Sequence, residues 1–385
     1  MNRRDFLTGA ATGLVVGAGA TYVATQPSKQ TETAPEAPAT ETKVEAPAVQ
    51  TGKRELKMVT TWPKNFPGLG TGAQRLADRI TSASDGKLEV KLYAAGELVP
   101  PFESFDAVSN GTADMYHGAE YYWQGKDKGF NFFAAVPFGF TANEMNAWLN
   151  YGGGQELWDE LSGRFNIKAF AAGNTGVQMG GWFNKEINSI EDFQGLKIRM
   201  PGLGGEVLRR IGAAAVSLPG GEIYPSLESG AIDATEWVGP WNDLAFGFYK
   251  VTKFYYYPGF HEPGTTLSCG LNKDVWDSLS AEHQTLVQAA CAAENENMLS
   301  EFNAKNGDAL DTLLTKHGVE LRKFSQDIMN VLGKTSEEVV AEVGNSDANT
   351  KKIYDSYFEF RRKVSRWTTL SESEYTSARS TALGN

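Results

Sequence analysis

The chain of 385 residues is 41% hydrophobic and carries a formal net charge of −11. A negative surface repels nucleic acid, so we expect no nucleic-acid partner, and any site for an anion has to be built from local positive groups. Cys269 and Cys291 are the only cysteines. Two isolated thiols do not make a disulfide framework. We expect both to be buried and reduced, and a single disulfide outside the cytoplasm is the alternative.

The first 24 residues are typical of an export signal. Arg3 and Arg4 precede a stretch from Phe6 to Ala24 that Gly and Thr interrupt repeatedly. Adjacent arginines ahead of a mildly apolar segment indicate the twin-arginine route, and the weak hydropathy favours a signal over a membrane-spanning helix. We therefore predict a twin-arginine signal at 1–24 and a periplasmic location. The cleavage site stays open, and a retained anchor is the alternative.

Residues 25–53 consist mainly of Pro, Ala, Thr and Glu, with almost no bulky side chains. A segment of this composition cannot bury enough apolar surface to fold. We predict a linker, which would act as an N-terminal tether if the signal were retained. The rest of the chain, from residue 54 onward, is long enough for two domains.

The folded part begins with alternating strand and helix patterns. A strand is predicted at 56–60, a glycine-rich turn at 67–72, a helix at 76–83, a second strand at 88–92 and a second helix at 102–108. The β-α-β-α order predicts a layered α/β fold.

The same pattern returns later in the chain. A strand is predicted at 196–200, a helix at 207–211 and a short strand at 232–235. Two similar α/β stretches indicate two lobes with a cleft between them. The segment 274–366 reads as mostly helical, with a long pattern at 353–367. Helices of such length would brace two lobes or pack on a second subunit.

Catalytic motifs are absent from the sequence, which has neither a Gly-x-Ser-x-Gly elbow nor a His-Glu-x-x-His pair. We therefore expect a binding protein and not an enzyme. The run Gly68-x-Gly70-x-Gly72 lacks the spacing of a nucleotide-binding fingerprint, and we interpret it as a tight strand-to-helix turn. Among four histidines, His261 stands out because it lies beside Glu262 in a segment rich in Pro and Gly.

Arg199 is the strongest candidate for a binding residue. It lies in an otherwise apolar strand, just before Pro201, at the strand end where ligands of open α/β sheets gather. A guanidinium can hold a carboxylate with two parallel hydrogen bonds. A surface arginine paired with an acid is an equal alternative. Glu236 and Glu262 lie in apolar or non-helical surroundings, where a carboxylate needs a partner. Two carboxylates and a carbonyl would suit a hard cation such as Na⁺ or Ca²⁺.

Six segments resemble the DctP-type solute-binding proteins of tripartite ATP-independent periplasmic (TRAP) transporters. The resemblance extends over nearly all of 56–367 and is strongest to the α-keto-acid- and lactate-binding branch. The segments are TWPKNFPG (61–68), AEYYWQG (119–125), AGNTGVQMGGW (172–182), LKIRMPGLGG (196–205), ATEWVGPW (234–241) and HEPG (261–264).

The resemblance implies a set of site residues. Arg199 would hold the ligand carboxylate, and a cation, Na⁺ or Ca²⁺, would bind together with the ligand. Gln178, Glu236, Glu262 and the main-chain carbonyl of Trp237 would hold that cation, and Gln178 and Trp237 would also touch the ligand. The expected wall residues are Tyr121, Tyr122 and Asn174.

It also implies an α/β, two-lobed periplasmic-binding-protein fold with a long lobe-spanning helix and a helical C-terminus. We assign 54–174 plus about 240–262 to lobe I, and about 175–239 plus 263–320 to lobe II. The region 321–385 would form a C-terminal helical dimerisation region, so that the protein would be a homodimer.

The function that these observations predict is the extracytoplasmic solute-binding subunit of a TRAP transporter. It would bind a small 2-oxo or 2-hydroxy monocarboxylate together with a metal cation and deliver it to the membrane subunits. A ligand-sensing binding protein for a membrane receptor is the alternative. The sequence does not decide which acid is bound, nor between Na⁺ and Ca²⁺.

Overall fold

Two β-sheets organise the part of the chain that the computed structural model describes, residues 52–384. Eleven strands lie in this part: β1 (Arg54–Thr60), β2 (Leu88–Tyr93), β3 (Met115–Gly118), β4 (Ile167–Asn174), β5 (Gly181–Phe183), β6 (Lys197–Arg199), β7 (Ala214–Val216), β8 (Ala234–Thr235), β9 (Phe254–Tyr257), β10 (Thr266–Asn272) and β11 (Glu320–Lys323).

Twelve α-helices accompany the strands within the same residues. They are α1 (Leu69–Ala83), α2 (Ser104–Ser109), α3 (Ala142–Tyr151), α4 (Gly154–Gly163), α5 (Gly202–Arg210), α6 (Gly220–Glu228), α7 (Pro240–Phe246), α8 (Lys273–Asp277), α9 (Ala281–His317), α10 (Gln326–Gly344), α11 (Ala348–Thr368) and α12 (Glu374–Leu383). Short 3-10 turns lie at Pro101–Glu103, Glu120–Trp123, Lys128–Phe133, Ile190–Phe193 and Phe248–Lys250, and a π-helical turn at Thr369–Ser373.

The first sheet has the strand order β2-β1-β3-β10-β4. The strands β1, β2 and β3 pair in parallel, and β10 runs antiparallel between β3 and β4. Every residue of β10 is buried, as expected of a strand with neighbours on both edges and layers on both faces. The predicted strands and helices between residues 56 and 108 are confirmed as β1, α1, β2 and α2, but the glycine-rich turn predicted at 67–72 ends early, because α1 begins at Leu69.

The second sheet has the order β11-β9-β5-β8-β6-β7. The predicted strands at 196–200 and 232–235 are confirmed as β6 and β8, which pair in parallel. The two sheets with their helices confirm the predicted α/β fold class. The other seven strands within residues 52–384, β3, β4, β5, β7, β9, β10 and β11, are not among the strands that the sequence pattern predicts.

Two segments lie in a different sheet from the one that the predicted lobe boundaries imply. Strand β9 lies within 240–262, which we assigned to lobe I, yet it pairs with β5 and β11 in the second sheet. Strand β10 lies within 263–320, which we assigned to lobe II, yet it pairs with β3 and β4 in the first sheet. Such pairings depend on hydrogen bonds between residues far apart in the chain, and so no local pattern reveals them.

The helix α9 is 37 residues long and connects the two sheets. Its N-terminus is capped by Ser280, whose hydroxyl accepts a hydrogen bond from the backbone N–H of His283 at 3.2 Å. It ends at Gly318, which has a φ of 64° in the left-handed region. Between these ends α9 packs against α1 and β4 beside the first sheet and against α7 beside the second. A helix that packs beside both sheets matches the long lobe-spanning helix that the resemblance implies.

The contact between α1 and α9 is held by charge and close approach. The guanidinium of Arg75 donates to both carboxylate oxygens of Glu294, at 3.2 and 2.7 Å, and to Glu301 at 2.7 Å. Gly72 lies so near that a Cβ there would meet the terminal methyl of Met298 at 2.4 Å. The glycine-rich turn and the start of α1 therefore serve helix packing.

The C-terminal helices carry a few exposed apolar side chains in an otherwise polar segment. In α11, the buried hydroxyl of Tyr357 accepts a hydrogen bond from the backbone N–H of Phe140 at 2.8 Å, which fixes this helix to the body. Further on, Trp367, Leu370 and Tyr375 are 69%, 65% and 64% exposed. The predicted helix at 353–367 is thus confirmed. Apolar side chains at its end and after it face solvent.

Cys269 on β10 and Cys291 on α9 are both buried free thiols, as expected. None of the helices in residues 52–384 combines the length and apolar character needed to cross a membrane. The predicted signal and nearly all of the predicted linker lie outside the described residues.

Candidate functional site

Parallel pairing of β6 with β8 brings the central site residues together. Arg199 is the last residue of β6 and lies opposite Thr235, the last residue of β8, so that Glu236 follows immediately beside it. The backbone N–H of Glu236 donates to the carbonyl of Arg199 at 3.1 Å. The carboxyl ends of parallel strands meet at one edge of a sheet, and the predicted arginine and the first predicted acid therefore share that edge.

The guanidinium of Arg199 is buried and only partly satisfied. Its Nη1 donates to the carboxylate of Glu236 and, at 2.9 Å, to the carbonyl of the same residue, and its Nε donates to the carbonyl of Leu218 at 3.2 Å. The group also lies 5.0 Å from the ring centre of Trp237. The Nη2 atom has no hydrogen-bond partner among the described residues and is shielded from solvent. A buried donor without a partner is costly, and an anion would satisfy it.

His261 is hydrogen-bonded to the second carboxylate oxygen of Glu236. The Nε2 atom of His261 lies 3.1 Å from Oε2 of Glu236, and both side chains are buried. Burial disfavours the charged imidazole, but the hydrogen bond and the charge of Glu236 outweigh burial and raise the pKa of His261 above its usual value. Glu236 is therefore fixed between the guanidinium of Arg199 and the imidazole of His261.

The second acid, Glu262, lies in a network of uncharged donors. Its Oε2 accepts hydrogen bonds from Nε2 of Gln178 at 2.8 Å, from the hydroxyl of Thr265 and, at 3.5 Å, from the hydroxyl of Tyr121. Burial and the nearby charge of Glu236 raise the pKa of Glu262 to about 7. An opposite charge close to this carboxyl would favour its ionised form.

Glu236, His261 and Glu262 each offer one atom that could bind a metal ion, and these three atoms all lie within 4.8 Å of one another. Oε1 of Gln178, beside them, is buried and has no partner among the residues the structure describes. Carboxylate, amide and carbonyl oxygens are the ligands that hard cations prefer. The arrangement therefore fits a cation such as Na⁺ or Ca²⁺, with Gln178 offering a free oxygen and its amide nitrogen already bonded to Glu262.

Aromatic rings form one wall of the site. Trp237, which follows Glu236, packs edge-on against Trp62 and Phe66, with ring centres 6.2 and 6.1 Å apart. Tyr122 lies 6.2 Å from Trp62 and 4.9 Å from Tyr121. Trp62, Tyr121 and Tyr122 come from connections of the first sheet and Trp237 from the second, so residues of both sheets line the site.

Asn174, a predicted wall residue, is hydrogen-bonded within the protein at both ends of its side-chain amide. Its Oδ1 accepts from the backbone N–H of Gly176 at 2.9 Å, and its Nδ2 donates to the carbonyl of Gly264 and to the hydroxyl of Thr266 at 3.3 and 3.4 Å. These bonds fasten the ends of β4 and β10 to each other. The side chain thus supports the segments that carry Gln178 and Glu262, and its contact with a ligand stays a prediction.

Sequence reasoning missed three groups that shape the site. Thr175 and Thr265 accept from Nε2 of Gln178, each at 3.1 Å, and the carbonyl of Leu218 accepts from Arg199. A threonine or a main-chain carbonyl has no distinctive spacing, so nothing in the sequence singles these out. Only their position in space reveals their role.

Residues 58–347 match the family of bacterial extracellular solute-binding proteins, family 7, or DctP. The chain belongs to this family. This chain is also 43% identical over 319 residues to a monocarboxylate 2-oxoacid-binding periplasmic protein of Nostoc sp.. That match covers 83% of this chain and 87% of the relative.

Solved structures agree with the assignment. A TRAP transporter solute-binding protein of Bordetella bronchiseptica has a TM-score of 0.85 and 35% identity, covering 86% of this chain and 99% of that one. It is a mixed-occupancy dimer with calcium and picolinate in one site. A TRAP periplasmic solute-binding protein of Pseudoalteromonas atlantica, with bound sodium and pyruvate, has a TM-score of 0.82 and 40% identity, covering 84% and 99%.

Proposed function

We propose that this protein is the periplasmic receptor of a TRAP transporter and binds a small 2-oxo or 2-hydroxy monocarboxylate together with Na⁺ or Ca²⁺. The observation that carries the proposal is the buried Nη2 of Arg199, which has no partner among residues 52–384 and lies beside the acid cluster. An anionic ligand supplies the missing acceptor. The relatives that bind 2-oxo acids, pyruvate or picolinate support this choice of ligand.

The residues proposed to hold the cation are Glu236, Glu262, the free Oε1 of Gln178 and the carbonyl of Trp237. A bound cation would offset part of the charge of the two buried carboxylates and would coordinate oxygens of the ligand. Arg199 then binds the carboxylate of the ligand through Nη2 while Nη1 stays on Glu236. Trp237, Tyr121 and Tyr122 shield these charges from water, which strengthens each electrostatic contact.

The protein binds its ligand without transforming it. The family to which the chain belongs consists of bacterial extracellular solute-binding proteins. Simultaneous contacts with groups from both sheets favour a closed state, because a ligand shifts an equilibrium by its differential affinity for the two states. Membrane subunits would receive the ligand from that state. We take the first sheet, which includes β10, as the body of one lobe, and the second sheet, which includes β9, as that of the other.

We also propose export by the twin-arginine route and assembly into a homodimer. The arginine pair at Arg3 and Arg4 would direct the folded protein through the twin-arginine route. The exposed apolar side chains of Trp367, Leu370 and Tyr375 would be covered in a homodimer, because monomers rarely leave such surface in water. The mixed-occupancy dimer of the Bordetella relative supports this assembly.

Isothermal titration calorimetry tests the ligand. The protein is freed of metal with a chelator in a potassium buffer, and pyruvate is titrated with neither cation, with Na⁺ or with Ca²⁺. We expect binding that requires Na⁺ or Ca²⁺, and none for pyruvamide, which lacks the carboxylate. Failure of every 2-oxo and 2-hydroxy acid in all three conditions would refute the proposal, and equal affinity without either cation would refute the role of the cation.

A further inference from the structure

A histidine of the first sheet, outside the ligand cluster, holds one of the aromatic rings of the site. The Nδ1 atom of His117 on β3 lies 2.8 Å from Nε1 of Trp62, and its Nε2 atom lies 3.0 Å from the carbonyl of Ala172 on β4. His117 is fully buried, and Trp62 is 2% exposed. Both ring nitrogens therefore have partners that are enclosed in the protein.

The partners determine the tautomer. An indole Nε1–H only donates and a main-chain carbonyl only accepts. Nδ1 of His117 must therefore be the acceptor and Nε2 must carry the proton. In this form the imidazole is neutral, and it joins Ala172 on β4 to Trp62, the second residue after β1.

Trp62 links His117 to the other aromatic rings that form the wall of the site. Its ring packs edge-on against Trp237, with centres 6.2 Å apart and planes at 82°, and lies 6.2 Å from Tyr122. Trp237 in turn lies under the guanidinium of Arg199. Trp62 belongs to a first-sheet connection and Trp237 to a second-sheet connection, and the indole pair is thus a contact between the two halves of the site.

We propose that His117 and Trp62 act as a pair of positioning residues, in which the imidazole orients the Trp62 indole so that Trp237 is held in its ligand-binding place. This inference rests on the proposed function, because the effect is read in the affinity for the acid. Neither residue is among the proposed ligands of the cation, and their effect reaches the acid through Trp237. Its role is to keep the aromatic wall in the arrangement that the closed site needs, so that less ordering remains to be done when the ligand binds.

Two substitutions of the histidine separate its two hydrogen bonds. His117→Asn places an amide oxygen near the position of Nδ1 and retains an acceptor for Trp62. His117→Gln places its amide nitrogen near the position of Nε2 and retains only the bond to Ala172. We expect His117→Gln and Trp62→Phe to weaken binding of pyruvate with Ca²⁺ about tenfold, because each breaks the buried bond to the indole. We expect His117→Asn to stay within threefold of the natural protein.

A matched control distinguishes positioning from general destabilisation. Trp148 is also buried and donates its Nε1–H to the hydroxyl of Ser356 at 3.1 Å, in a region that α11 covers. Trp148→Phe removes the same kind of bond and should lower the melting temperature without changing the affinity. The double variant Trp62→Phe with His117→Gln should bind no more weakly than either single variant, because one interaction cannot be lost twice.

The natural protein offers a test that needs no variant. Hydrogen exchange of the Trp62 indole N–H, followed by NMR, should slow when pyruvate and Ca²⁺ are added, whereas that of Trp148 should not change. The inference is overturned if Trp62 exchanges equally fast in both states, if Trp62→Phe binds as tightly as Trp148→Phe, or if His117→Asn binds as weakly as His117→Gln. If the natural protein binds none of the acids, the proposed function itself has failed.

Discussion

Replacement of Arg199 by alanine should abolish most of the affinity for the acid. The side chain is 1% exposed, its Nη1 bonds Glu236, and its unpartnered Nη2 is the proposed contact with the ligand carboxylate. Loss of one partner of a buried, hydrogen-bonded charge pair costs about 2–5 kcal/mol in binding. A central value of about 3 kcal/mol corresponds to an affinity about 150-fold weaker.

Lysine at the same position provides a graded comparison. Arg199→Lys keeps the positive charge but lacks the planar fork that lets one side chain bond Glu236 and the ligand together. We expect an affinity loss of about tenfold, between the natural protein and the alanine variant. Arg210→Ala serves as the control, because Arg210 bonds Glu342 on the surface, with side chains 40% and 62% exposed. Such exposed pairs contribute little.

Calorimetric titration with pyruvate and saturating Ca²⁺ measures all three variants. Thermal unfolding without ligand shows whether each variant is folded at the temperature of titration. A folded Arg199→Ala protein that binds pyruvate within threefold of the natural affinity would refute the assignment of Nη2 to the ligand carboxylate. An equal loss in Arg210→Ala would show that the effect is not specific to the site.

Further predictions concern cation dependence, pH and assembly. Glu262→Gln should remove the stimulation of pyruvate binding by Ca²⁺, because a charged ligand of the proposed cation is lost; titrations with and without Ca²⁺ check this, and unchanged stimulation would exclude Glu262 from the cation site. Burial raises the pKa of Glu120 from 4.5 to about 7. A carboxyl with a raised folded-state pKa contributes stability that is complete below about pH 4.5 and is lost as pH rises through about 7, a change of about 3 kcal/mol. Glu120→Gln should therefore gain in stability relative to the natural protein between pH 5 and pH 8, as measured by urea unfolding, and a constant difference would contradict this. Replacing Trp367 and Tyr375 by serine should shift the protein towards monomer in analytical ultracentrifugation, and an unchanged dimer would show that other surfaces hold it.

Several parts of the fold and site could be predicted from the sequence because they depend on local patterns. The period of apolar residues determines β1, α1 and β2, whose side chains alternate or recur within a few positions. Arg199 could be singled out because a charged residue at the end of an apolar strand is uncommon and because ligands gather at such ends. The assignment of Gln178, Glu236 and Glu262 to one cluster came from family resemblance, and the structure brings the three side chains together.

Other features were decided only by tertiary structure. The placement of β10 in the first sheet and β9 in the second depends on hydrogen bonds between strands that lie far apart in the chain. His117 and Trp62 are 55 residues apart, and their sequence contexts give no sign that the imidazole accepts from the indole. The unpartnered Nη2 of Arg199 is likewise a property of its surroundings. Local periodicity specifies which residues face a core, whereas strand pairing and side-chain partners are determined by the free energy of the whole packed chain.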